Sequence, residues 1–136
     1  MPPTLPNIFI IDDDSDDSEM LSSALTAEGM KINTFNSGDK ALAHLENTTE
    51  LPTMIILDYN MPCQNGVQTM KSIKSNPATS GIPVVIFSTS VPDLFKETLI
   101  QLGAYNCFKK PFSYEGFRSQ VSVFKNLADD LANTQV

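Results

Sequence analysis

Three short runs constrain the fold more than anything else in this chain. NIFII from Asn7, TMIIL from Thr53 and PVVIF from Pro83 are almost unbroken in apolar residues, and they stop abruptly at Asp12, Asp58 and Ser88. A strand with one face in water alternates apolar and polar residues, whereas a strand covered on both faces does not. Runs this short cannot span a buried helix either. They read as interior strands of a sheet sandwiched between helices. Two weaker candidates, KINTF around Ile32 to Phe35 and YNCFK around Asn106 to Lys109, read as further strands.

The segments between these runs carry helical spacing. Met20, Leu21, Ala24 and Leu25 form one face of a helix that Gly29 terminates. Ser37 caps a second helix with Ala41, Leu42 and Leu45 turned inward. Val67, Met70, Ile73 and Lys74 mark a third, ended before Pro77. Leu94, Phe95, Leu99 and Leu102 mark a fourth, stopped by Gly103. Phe117, Val121, Phe124, Ala128 and Leu131 mark a long final helix with Ser113 as its cap. Strand and helix thus alternate five times, which predicts an α/β fold with a parallel sheet and helices on both faces.

Composition adds limits rather than detail. The 136 residues suit one domain, with residues 1–6 and 133–136 as tails and 7–132 as the folded unit. Sixteen acids against nine bases give a net charge of −7, which argues against direct nucleic-acid binding, since that needs a basic stripe to displace counterions. No apolar run of about 18 residues points to a membrane span, and no secretory signal pattern opens the chain. Cys63 and Cys107 read as free thiols in a reducing cytoplasm. His44 reads as a surface residue of the second helix.

In a parallel sheet of this kind, ligands bind beyond the carboxyl ends of the strands. Those ends carry Asp12, Asp13 and Asp14 after the first strand and Asp58 after the third. Ser88 and Thr89 follow the fourth strand, and Lys109, Lys110 and Pro111 follow the fifth. Carboxylates gathered at one rim repel unless a cation sits among them. Magnesium suits such a place, because it takes hard oxygen ligands and needs few carboxylates. Lys110 adds a mobile point charge and Ser88 a hydroxyl donor, a combination fitted to the oxygens of a transferring phosphoryl group. Asp58, following the most apolar strand, is the candidate nucleophile. Asp14, Asp16 and Asp17 read as solvated acids opening the first helix, where the macrodipole favours them.

In the order and spacing of IIDDDSDD, LDYNMPCQNG, PVVIFSTS and FKKPF, the chain resembles the receiver domains of two-component response regulators, from about Asn7 to Leu131. It is most similar to single-domain, chemotaxis-type members. The resemblance implies a flavodoxin-like sheet of strand order 2-1-3-4-5. It implies that Asp58 accepts the phosphoryl group, with magnesium or manganese held by Asp13 directly, by Asp12 mainly through water, and by Asp58 and the Asn60 backbone carbonyl. Ser88 matches the switch hydroxyl and Lys110 the lysine ahead of a proline. The Lys110–Pro111 bond is expected to be cis, and Pro62 and Gly66 to shape the acceptor loop. Relatives usually place Tyr, Phe or another large residue where this chain has Cys107, so Cys107 stands with Ser88 at the switch positions, with Tyr105 and Phe108 close by.

On this resemblance the chain is expected to be a stand-alone cytoplasmic phosphoprotein that catalyses its own phosphorylation and dephosphorylation. Its donor would be a histidine kinase or histidine phosphotransfer protein, and its reader a downstream protein not named by the sequence. The alternative is a degenerate receiver acting as a scaffold without phosphorylation. An aspartyl-nucleophile phosphatase is disfavoured, because Asn60 stands where a second acid would work. A flavodoxin-like phosphate binder is disfavoured too, since Asp12 to Asp14 would repel a phosphate at the first loop.

Overall fold

The computed structural model describes residues 5–59 and 66–134. The elements run β1 (Asn7–Ile11), α1 (Ser15–Ala27), β2 (Lys31–Phe35), α2 (Gly38–Asn47), β3 (Met54–Leu57), α3 (Gly66–Ser75), β4 (Val84–Ser88), α4 (Asp93–Gln101), β5 (Asn106–Lys109) and α5 (Tyr114–Thr134). Every strand pairing is parallel, and the strand order is β2-β1-β3-β4-β5. This is the expected doubly wound, flavodoxin-like sheet with five helices.

Alternate residues of the central strands fill two separate cores. Phe9, Ile11, Ile55, Leu57, Val84 and Ile86 meet Ala41 and Leu45 of α2, Met70 and Ile73 of α3 and Leu99 of α4. Ile8, Ile10, Met54, Ile56, Val85 and Phe87 meet Leu21 and Leu25 of α1 and Val121, Phe124 and Ala128 of α5. Each of these larger side chains contributes about 1.5–3 kcal/mol by leaving water. The double cover explains why β1, β3 and β4 carry unbroken apolar runs, and why the outer strands β2 and β5, partly exposed, show weaker ones.

Helix ends follow the local chemistry. Ser37 accepts from the Lys40 N–H at 3.2 Å, and Ser113 from the Gly116 N–H at 3.0 Å. Gly29 and Gly103 take positive φ (88° and 115°) as α1 and α4 end, a conformation that favours glycine. The amphipathic readings of α1 and α4 need adjustment. Met20 is exposed on α1, and of the α4 residues only Leu99 is buried, while Leu94 and Phe95 are exposed. Leu99 joins the core on the side of the sheet where α4 packs against β5.

Candidate functional site

Backbone ladders set the rim. Beyond the last paired strand residues, the Asp12 N–H donates to the Phe35 carbonyl at 3.0 Å, the Asp58 N–H to Ile11 at 2.9 Å and the Lys110 N–H to Ser88 at 2.8 Å. Each residue is therefore fixed by its neighbouring strand, and the three side chains leave the same edge of the sheet. Asp12, Asp58, Ser88 and Lys110 are all buried, whereas Asp13 is exposed. The four strand ends singled out in the sequence do converge.

Lys110 is the hub of the cluster. Its ammonium donates to Asp12 Oδ2 at 2.7 Å and to Asp17 Oδ2 at 3.1 Å, and it stands 3.7 Å from Asp58 Oδ2. Burial alone would weaken its hold on the proton. The Asp12 hydrogen bond and charge, then the Asp58 charge and the Asp17 hydrogen bond, outweigh burial and raise its pKa above the ordinary lysine value. Asp12 shows the opposite balance. Burial pushes its carboxyl up to about 6, against the pull of the Lys110 bond, the Asp14 N–H and the Lys110 charge, while the Asp58 charge pushes it up further. Negative charge is in excess here, and one lysine does not offset it.

A divalent cation would. Asp12, Asp13 and Asp58 each offer a carboxylate oxygen, and these oxygens lie within 4.8 Å of one another. Hard oxygen donors, two of them buried, fit magnesium or manganese. Asn60 and Pro62, named from the sequence for the metal shell and the loop, lie outside the described residues, as does Cys63. Gly66 is described, and its N–H donates to the Tyr59 carbonyl at 3.0 Å.

Two expectations are corrected. No peptide bond among the described residues is cis, so Lys110–Pro111 is trans. The trans form is the lower in energy by about 0.5–1 kcal/mol at a proline, and here the lysine reaches its carboxylates from it. Asp17, read as a solvated helix-opening acid, instead binds the lysine. Asp14 is the N-cap of α1, accepting from the Asp16 and Asp17 N–H groups. His44 is exposed, although its ring lies 5.4 Å from that of Phe9 and 5.3 Å from that of Phe35.

Cavities open beside the rim. One, of about 460 Å³, opens between Asp12, Lys110, Met20, Phe112 and Tyr114. Another, of about 270 Å³, lies among Ser88, Val91, Lys96 and Cys107. Cys107 is half-buried, and burial raises its thiol pKa, so it is no activated thiolate.

The family model for the response regulator receiver domain matches residues 8–122, which include every rim residue described above. The chain belongs to the response regulator receiver domain family. Among curated relatives, the CpxR homolog of Haemophilus influenzae is 34% identical over 78% of this chain and 44% of its own length. A probable chemotaxis protein CheY of Rhizobium etli is 29% identical over 84% of this chain and 88% of its own. The chain thus spans less than half the length of the CpxR and PhoB relatives it matches. The manganese-bound form of the response regulator Rcp1 superposes with a TM-score of 0.80 at 23% identity, covering 88% of this chain and 91% of that one. Such a likeness speaks for the shared receiver fold.

Proposed function

We propose that this receiver takes a phosphoryl group onto Asp58 from a histidine kinase or histidine phosphotransfer protein, and signals through the conformational change that follows. The observation that carries this is the placement of buried Asp58 within 3.7 Å of the Lys110 ammonium at a rim rich in carboxylates. Asp58 Oδ attacks phosphorus in line with the leaving group. The Lys110 ammonium turns to one phosphoryl oxygen, and the Ser88 hydroxyl, at the end of β4, to another. A bound magnesium or manganese ion supplies the positive charge that lets the carboxylate cluster accept an anionic group.

Because the added group brings about two negative charges, the β4–α4 segment carrying Ser88 responds to it. Cys107 offers no ring to fill the space left behind. Exposed Met20, Phe112 and Tyr114 beside the larger cavity offer an apolar edge against which a donor helix can rest. No helix among the described residues is long and apolar enough to cross a membrane.

The test is a beryllofluoride titration with magnesium, followed by amide NMR. Saturable shifts at Ser88, Thr89 and Lys110 that vanish in Asp58→Asn are the expected result. No shift in the wild-type protein would leave the scaffold alternative, without phosphorylation, in its place.

A further inference from the structure

The second hydrogen-bond partner of Lys110 is not one of the acids at the strand ends. It is Asp17, in the first turn of α1, 93 residues away in sequence. The lysine is within hydrogen-bonding distance of Asp12 and Asp17, but its 3.7 Å separation from Asp58 is too long for a hydrogen bond. The ammonium is therefore drawn towards α1 and away from the acceptor.

Local chemistry explains why Asp17 is available. An acid at the third helical position ordinarily reaches back to the N–H of the capping residue. Here the Asp14 N–H already donates to Asp12 Oδ1 at 2.9 Å. The Asp17 carboxylate is left to reach across to the lysine. Asp16, one residue earlier, carries the same charge but is exposed and is not among the lysine's ion-pair partners.

We propose that Asp17 is a positioning residue that holds Lys110 on the α1 side in the resting state and competes with the phosphoryl group for it. This rests on the reading of Asp58 as phosphoacceptor. An ammonium has three donors. Two of them are taken by Asp12 and Asp17, and a phosphoryl group on Asp58 adds anionic oxygens on the side of the ammonium opposite α1, which pull Nζ away from Asp17. The Asp17 bond lengthens as it moves. Asp17 is also the partner that can let go: its side chain is 39% exposed against 7% for Asp12, so water replaces the lost bond. With the carboxylate partly in water and the ammonium buried, losing this pair should change an equilibrium at least as much as losing a surface pair does, about two- to fivefold.

The experiment compares wild type, Asp17→Asn and Asp16→Asn as full chains in saturating magnesium chloride, titrated with beryllofluoride by NMR. Asp17→Asn is expected to lower the half-saturating concentration about two- to fivefold. Asp16→Asn is expected to leave it near the wild-type value, since it removes a charge but no bond. A second readout follows the Lys110 side-chain carbon and nitrogen resonances against pH without beryllofluoride. Asp17→Asn should lower the pKa of that lysine, an effect that altered helix capping would not produce. Equal shifts from the two variants, weaker binding in Asp17→Asn, or an unmoved lysine titration would each overturn the proposal. If the wild type binds no beryllofluoride, the acceptor reading itself fails and the competition with it.

Discussion

Replacing Gly66 by Ala puts a methyl group where the backbone that follows β3 already stands. A Cβ at this position would lie 2.6 Å from the Asp58 carbonyl oxygen and 2.8 Å from Tyr59 Cα. Ordinary carbon–oxygen contacts begin near 3.3 Å, so the two backbones must separate by roughly 0.7 Å. Neither side gives easily. The Asp58 N–H is tied to Ile11 at 2.9 Å, and the Gly66 N–H to Tyr59 at 3.0 Å. Overpacking against rigid neighbours costs about 1–3 kcal/mol. With about 2.1 cal/mol/K of unfolding entropy per residue, a chain of this size loses roughly 3–4 °C per kcal/mol, so Tm should fall by about 4–10 °C. The displaced backbone carries Asp58, so magnesium affinity should fall as well. Gly81→Ala is the control, because nothing lies within 4 Å of its added Cβ. Its effect should stay within about 1 kcal/mol of neutral. Thermal melts with and without magnesium read both quantities. A Gly66→Ala protein that melts with the wild type and binds magnesium equally well would refute the steric argument.

Asp12 gives the metal-free protein an inverted pH dependence. Its folded-state pKa is about 6 against the ordinary 3.8, so between those values the folded state binds more protons than the unfolded state. Stability from this group therefore falls as pH rises through that window, and the full penalty is present above it. In EDTA, the melting temperature of Asp12→Asn should change less between pH 4.5 and 7.5 than that of the wild type, because the variant lacks the titrating carboxyl. Magnesium binding needs the ionised carboxylate, so in the wild type its affinity should rise from pH 5 to 7, as calorimetry would show. Phe124 is fully buried, and its ring meets those of Phe87 and Phe108 edge-on at 5.1 and 5.4 Å. Phe124→Ala should cost about 3–5 kcal/mol in urea unfolding. Asp14→Ala removes the α1 cap and should cost about 0.5–2 kcal/mol by the same assay.

The sheet was legible because its central strands are covered twice, which forces apolar residues onto both faces and leaves a pattern no other element of that length shows. The site was legible because parallel strands end together, so a polar residue closing an apolar run marks a position on the common rim. Asp12, Asp58, Ser88 and Lys110 could all be located in this way. Asp17 could not, since a first-turn acid looks the same in sequence whether its partner is water or a lysine on another strand. A charge of opposite sign beyond the fifth strand was the available signal, but the carboxylates closing the strands, Asp12 and Asp58, were its more obvious partners. The outward Leu94 and Phe95 were equally hidden, because spacing fixes which residues share a helix face, while the sheet edge decides how much of that face is covered. The isomer of Lys110–Pro111 leaves no trace in sequence either, as the same dipeptide supports both forms.

The central claim is that Asp58 is where the phosphoryl group goes. Its most direct test is intact mass spectrometry after incubation with acetyl phosphate, with magnesium or with EDTA, on wild type and Asp58→Asn. The account predicts a single phosphoryl adduct on the wild type in magnesium alone, and none on the variant. An adduct that persists in Asp58→Asn, or that forms as readily in EDTA, would contradict it.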